Sequence, residues 1–150
     1  MEQNFGFSLD VGDFDEDGNI DFVTIQGVTI PGTDPTLQTY QGQGDGTFEL
    51  INEQAGLFGV SNIEENSHAG DVDNDGHLDF VTFSNAGTLV HLGNGDGSFA
   101  NPIFVYADSP TRLFRTRQTE LVDFDEDGNL DLIFVHDSVV LSFQLSLIHI

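Results

Sequence analysis

A run of nine residues recurs three times in this chain with its acidic side chains in register. Asp13-Phe14-Asp15-Glu16-Asp17-Gly18-Asn19-Ile20-Asp21 and Asp123-Phe124-Asp125-Glu126-Asp127-Gly128-Asn129-Leu130-Asp131 are nearly identical, and Asp71-Val72-Asp73-Asn74-Asp75-Gly76-His77-Leu78-Asp79 keeps the same skeleton. The pattern is D-x-D-x-D-G-x-x-D with an apolar residue before the last Asp. Carboxylates this close repel one another strongly unless a cation sits among them. Hard oxygen ligands in this number suit Ca²⁺, which takes about six to eight of them in a flexible shell. In such a loop the first, third and fifth positions supply side-chain oxygens and glycine at the sixth allows a sharp turn. The seventh then supplies a backbone carbonyl and the ninth closes the site. A solvated acidic turn is the alternative, because Asp, Asn and Gly also cluster in turns. Three copies with the glycine in register favour the calcium loop.

The elements around the loops decide which kind of calcium loop this is. An EF-hand needs a bidentate Glu at its twelfth position and a helix on either side. That position falls on Thr24, Thr82 and Phe134, none of which can chelate in that way. After each loop comes a short run rich in β-branched and aromatic residues: Phe22-Val23-Thr24-Ile25, Phe80-Val81-Thr82-Phe83 and Leu132-Ile133-Phe134-Val135. Such runs read as strands buried on both faces. The loops are therefore expected at hairpin tips between strands.

A chain of 150 residues has the length of one domain and can bury a real core. Its 26 acids against three Lys and Arg give a formal charge of −23, and the three loops hold 14 of those acids. Three bound Ca²⁺ would bring that charge only to −17. A field of this sign repels nucleic acid and anionic membranes, so neither is an expected partner. Cysteine is absent, which removes disulfides, zinc thiolates and thiol nucleophiles. The residues from Met1 to Phe5 show no signal peptide, and no apolar run approaches membrane-spanning length. Weak calcium sites would fill in the millimolar calcium outside cells, so an extracellular, cell-surface or periplasmic location is expected.

Glycine turns follow the strands. Gly42-Gln43-Gly44-Asp45-Gly46-Thr47-Phe48 and Gly93-Asn94-Gly95-Asp96-Gly97-Ser98-Phe99 match almost residue for residue. Gly42 precedes Asp71 by 29 positions and Gly93 precedes Asp123 by 30. Asp13 precedes Gly42 by 29 positions, whereas Asp71 precedes Gly93 by only 22. The seven extra residues fall in a Pro- and Gly-rich loop over residues 28–35. Beneath this lies a period of roughly 52 residues carrying four short strands, the signature of a propeller blade. Repeat one is placed at about 5–56, repeat two at about 63–108 and a partial repeat three at about 116–143. Residues 144–150 form an atypical apolar tail where a third glycine turn is due, which reads as truncation.

The acidic loop, a buried strand and then L-G-N-G-D-G-S-F together resemble the FG-GAP/VCBS repeat family, whose relatives build the propeller heads of integrin α chains. The likeness spans nearly the whole chain. It implies an all-β fold of antiparallel four-stranded blades of a β-propeller, incomplete at about two and a half to three blades, with up to three Ca²⁺ held in hairpin loops. Carried over by position, the side-chain ligands are Asp13, Asp15, Asp17 and Asp21, then Asp71, Asp73, Asp75 and Asp79, then Asp123, Asp125, Asp127 and Asp131. The carbonyl ligands are those of Asn19, His77 and Asn129, and Ile20, Leu78 and Leu130 would point inward and pin each loop to the core. Propellers close with about four to eight blades, so the rest of the ring is expected in a parent chain.

No nucleophile elbow or triad setting is present, and three identical acidic quartets do not look like one differentiated catalytic pair. The scattered histidines read as structural, and the basic run Arg112-Leu113-Phe114-Arg115-Thr116-Arg117 as an outer strand with solvated arginines. Asp45 and Asp96 read as turn formers, and Phe48 and Phe99 as core residues. The expected function is a non-enzymatic, calcium-binding extracellular module for binding or adhesion, with a protein or carbohydrate ligand. The alternative is a scaffold or accessory part of a secreted polysaccharide-acting enzyme whose catalytic residues lie elsewhere.

Overall fold

A computed structural model describes residues 7–26, 35–55, 63–84, 87–105, 116–136 and 139–144. The loop over 28–35, apart from Pro35, the tail from 145 onward and the side chains of the basic run lie outside the described residues. Three antiparallel sheets follow one another along the chain, and no helix occurs among the described residues. The first holds β1 (Phe7–Gly12), β2 (Asp21–Gln26), β3 (Thr36–Gly42) and β4 (Phe48–Ala55), in that order. The second repeats it with β5 (Ile63–Gly70), β6 (Asp79–Ser84), β7 (Gly87–His91) and β8 (Ile103–Val105). The third holds β9 (Thr116–Val122), β10 (Asp131–His136) and β11 (Val139–Gln144).

Each acidic run joins the first two strands of its sheet. Gly12 pairs with Asp21, Gly70 with Asp79 and Val122 with Asp131, so the loops sit at hairpin tips as the flanking strands predicted. Side chains alternate across a strand, which gives every sheet a leading face toward the next sheet and a trailing face toward the one before. The leading face of the first sheet brings Val23, Ile25 and Leu37, with Phe14 from its loop, against Phe80, Phe99 and Leu78 on the trailing side of the second. One step on, Val72, Val81, Phe83 and Val90 meet Leu121, Leu130 and Leu132 of the third sheet. The core is thus two apolar layers between three sheets.

First strands also lie side by side, β1 along β5 and β5 along β9. The Ala69 N–H donates to Asp10 Oδ2 at 2.7 Å, and His68 Nε2 lies 2.7 Å from Thr119 Oγ1. Asp10 and His68 occupy the same place, three residues before their loops. One polar side chain per sheet thus stitches each first strand to the next.

Burial on both faces, expected of all three post-loop strands, holds fully for β6, where Phe80, Val81, Thr82 and Phe83 are all buried. In β2 only alternate residues are buried, because the trailing face of the first sheet meets no other described sheet. Two side-chain expectations fail for that reason. Ile20 is 61% exposed rather than inward-pointing, and Phe48 is 49% exposed where its counterpart Phe99 is 7% exposed.

Candidate metal centre

The loops owe their shape to their own carboxylates. Gly18, Gly76 and Gly128 donate their N–H groups to the second oxygen of Asp13, Asp71 and Asp123, at 3.0, 3.0 and 2.9 Å. Asn19, His77 and Asn129 donate theirs to Asp17, Asp75 and Asp127, at 2.8, 2.8 and 2.9 Å. These bonds wrap the backbone around the first and fifth positions. The sixth-position glycines have φ of 90°, 96° and 93°, a left-handed region that favours glycine. The fourth position is left-handed too, at 60°, 60° and 61° for Glu16, Asn74 and Glu126. That feature was not legible in the sequence, since Glu rarely takes such a conformation and Asn does so more readily.

The wrap gathers oxygens. Asp13, Asp15 and Asp17 each present a carboxylate oxygen within 4.8 Å of the others, and so do Asp123, Asp125 and Asp127. In the second loop the group is Asp71, Asp73 and Asp79, so there the ninth position joins the first and third. Burial raises the pKa of Asp15 and Asp73, and the neighbouring carboxylates push the same way. Burial likewise takes Asp79 up to about 6, despite the N–H groups that favour its charged form. Asp13 Oδ1 is buried with no hydrogen-bond partner among the described residues. An orphaned buried oxygen beside crowded carboxylates is a donor set that a hard divalent cation satisfies.

The ninth-position Asp does a second job that spacing alone did not reveal. Asp21, Asp79 and Asp131 are buried. One oxygen of each accepts the N–H of the loop's second residue: Phe14 at 2.9 Å, Val72 at 2.7 Å and Phe124 at 3.0 Å. The other oxygen of Asp21 and Asp79 accepts the N–H of Gly42 and of Gly93, both at 2.8 Å. A Cβ on Gly42 or Gly93 would fall 2.1 Å from the carbonyl oxygen of Ile20 or Leu78. These two glycines therefore let the glycine turn lie directly on the acidic loop. In the third sheet Asp131 Oδ1 is buried with no partner among the described residues, where the sequence lacks the third glycine turn.

Asp45 and Asp96 behave as turn formers. Their carboxylates accept from Thr47 and Ser98, through backbone N–H and hydroxyl alike, and the hydroxyl bond first of all holds each pKa low.

Contacts between loops were also missed. His77 Nδ1 meets Glu16 Oε1 at 2.5 Å, and Asn74 donates to Asn129 Oδ1 at 2.7 Å. The fourth position of one loop therefore touches the seventh of the next, and the Glu16 contact raises the pKa of His77. The Gln41 side-chain amide donates to Asp15 at 2.5 Å and Asp17 at 3.0 Å. Gln41 lies on β3, so only pairing in the sheet brings it to the loop. His91 is fully buried between Phe80 and Thr82, and loss of water takes its pKa down to about 4.

A family model described as FG-GAP-like repeat matches residues 13–82 and 71–134. The two matches run from the first acidic loop to the strand after the second, and from the second loop to the strand after the third. No curated protein and no solved structure matches the chain.

Proposed function

Since the chain belongs to the FG-GAP-like repeat family, we propose that its sheets are blades of a calcium-stabilised β-propeller acting as an extracellular module for binding or adhesion. The observation that carries this reading is the threefold recurrence of carboxylate oxygens within 4.8 Å of one another at hairpin tips. Asp13, Asp15 and Asp17, Asp71, Asp73 and Asp79, and Asp123, Asp125 and Asp127 would hold the ions, with the other oxygens of each loop completing the shell. Bound Ca²⁺ supplies positive charge that cancels carboxylate repulsion. The chain's own residues do the rest. The buried ninth-position Asp ties the loop backbone to the sheet, and the contacts from the fourth position to the seventh align neighbouring tips. The outcome is a rigid edge from which the remaining loops present a surface to a protein or carbohydrate ligand, with no reaction carried out by this segment. Among the described residues no helix is long and apolar enough to cross a membrane.

Thermal melts in millimolar Ca²⁺, in excess EDTA and in Mg²⁺ test the metal reading. An ion that binds only the folded state adds about 2.7 kcal/mol per site at a hundredfold excess over Kd. The expected result is a Ca²⁺-specific rise in midpoint, with Mg²⁺ weaker because it demands tighter octahedral geometry. Equal cooperative midpoints in Ca²⁺ and EDTA would return the loops to acidic turns.

A further inference from the structure

The three loops share one motif but do not gather the same oxygens. In the first and third the carboxylates of the first, third and fifth positions converge, and in the second those of the first, third and ninth. The motif gives no reason for this, because every copy carries Asp at all four places. A residue outside it does differ. Gln41 follows Tyr40, the partner of Phe22, near the end of β3. Leu92 takes that place in the second sheet, one residue after His91, the partner of Phe80. In the third sheet the place is glutamine again, since Gln144 pairs with Asp131.

Gln41 reaches the first loop as a donor. Its amide nitrogen serves Asp15 Oδ2 at 2.5 Å and Asp17 Oδ2 at 3.0 Å. The two hydrogens of one atom thus hold the third and fifth carboxylates together, in bonds strengthened by the acceptors' charge. The amide is itself held, because Gln43 Nε2 in the glycine turn donates to Gln41 Oε1 at 3.3 Å. Asp15 and Asp17 spend their other oxygen on the N–H groups of Asp17 and Asn19. A carboxylate offers about four lone-pair sites, so each still has room for a cation. Neither half of this relay exists in the second sheet. Leu92 has no amide and packs into the apolar layer beside the third sheet. Asn94, at the place of Gln43, donates to Ser98 Oγ at 3.0 Å.

We propose that Gln41 is a positioning residue of the first metal centre, setting its third and fifth carboxylates for Ca²⁺ so that this loop binds more tightly than the second. Carboxylates already drawn together lose less freedom when an ion arrives. An amide donor between them also offsets part of the repulsion that the ion-free loop must bear. Side chains just outside a metal's ligands commonly change affinity by about 10–100-fold. This inference rests on the calcium reading of the loops and adds a ranking among them that the motif does not contain.

A Ca²⁺ titration of the isotope-labelled full chain by NMR tests it. The probes are the backbone amides of Gly18 and Gly76, each of which donates to the first carboxylate of its own loop. Gly18 is expected to reach half-saturation at a lower Ca²⁺ concentration than Gly76. Gln41→Leu, which copies the second sheet, should raise the Gly18 midpoint about tenfold and leave Gly76 where it was. Gln43→Ala, an exposed substitution, should raise it severalfold by releasing Gln41. Leu92→Gln with Asn94→Gln rebuilds the relay and should bring the Gly76 midpoint down toward that of Gly18. A purely structural role for Gln41 would shift both glycines together, or lower the melting midpoint in EDTA while moving neither, and either result would overturn the proposal. So would Gly76 filling before Gly18. A Gly18 response indifferent to Gln41→Leu sinks the role of Gln41 alone. Absence of any response to millimolar Ca²⁺ in either loop sinks the calcium reading and this inference with it.

Discussion

The trailing faces of the first and second sheets carry matching side chains in opposite surroundings. Phe22 and Phe80 follow the same Asp in the same motif, and each pairs with a ring, Tyr40 or His91, on the neighbouring strand. Phe80 is fully buried, whereas Phe22 is half-buried beneath the rings of Tyr40 and Phe48. The same contrast appears at the other end of the array. Phe14 is 2% exposed under the second sheet, while Phe124 at the same loop position is 69% exposed. In a stacked array a residue's energetic weight is set by its neighbour and not by its motif. The ladder of each sheet closes within that sheet, but only an adjoining sheet removes its apolar face from water.

The largest test of this contrast is truncation of the two rings. Phe80→Ala should cost about 3–5 kcal/mol through lost burial and the cavity left behind. Phe22→Ala should cost less than half of that, read from urea midpoints in Ca²⁺. Equal costs would mean that the first sheet's face is covered in solution.

The ring partners give a test through pH. His91 is held neutral by burial, with a folded pKa of about 4 against an ordinary 6.5. Below 6.5 the unfolded chain takes up the proton first. His91 therefore contributes a loss of stability as pH falls from 6.5 to 4, on the order of 3 kcal/mol in full. Urea midpoints across that range should show a shallower fall in His91→Gln, while Tyr40→Phe, at the matching place on the first sheet, leaves the profile unchanged.

The smallest difference concerns the eighth position. Leu78→Ala should destabilise by about 2 kcal/mol, since its side chain fills the hollow at Gly12. Ile20→Ala should change stability by less than about 0.5 kcal/mol, as exposed substitutions do. A matching loss at Ile20 would show that its side chain is covered in solution.

Much of the site was legible because carboxylates at fixed spacing around a glycine admit few backbone paths. The first, third and fifth positions of the first and third loops do converge. The ninth was legible as a member of the motif, but its role in bonding the second residue and the glycine turn was not. Gly42 lies 21 residues from Asp21, and only sheet pairing joins them. Gln41 reached the first loop by the same route. The left-handed fourth position left no sign, since Glu at Glu16 and Glu126 argues against it. Burial of the apolar positions was legible as a tendency and failed where a neighbour was missing, at Ile20 and Phe48.

By itself the sequence determined what is local. Hairpin tips, strand period, glycine turns and the crowding of carboxylates all follow from residues within one turn or one strand of each other. Tertiary structure decided which apolar face is covered, which buried Asp is tied to a glycine turn, and which loop touches which. Those outcomes depend on groups well separated in the chain, by 14 residues for Gly93 and Asp79, 21 for Gly42 and Asp21, and 61 for His77 and Glu16. The physical reason is that a sheet's hydrogen bonds close within the repeat, whereas burial of its faces is completed only by the sheet alongside.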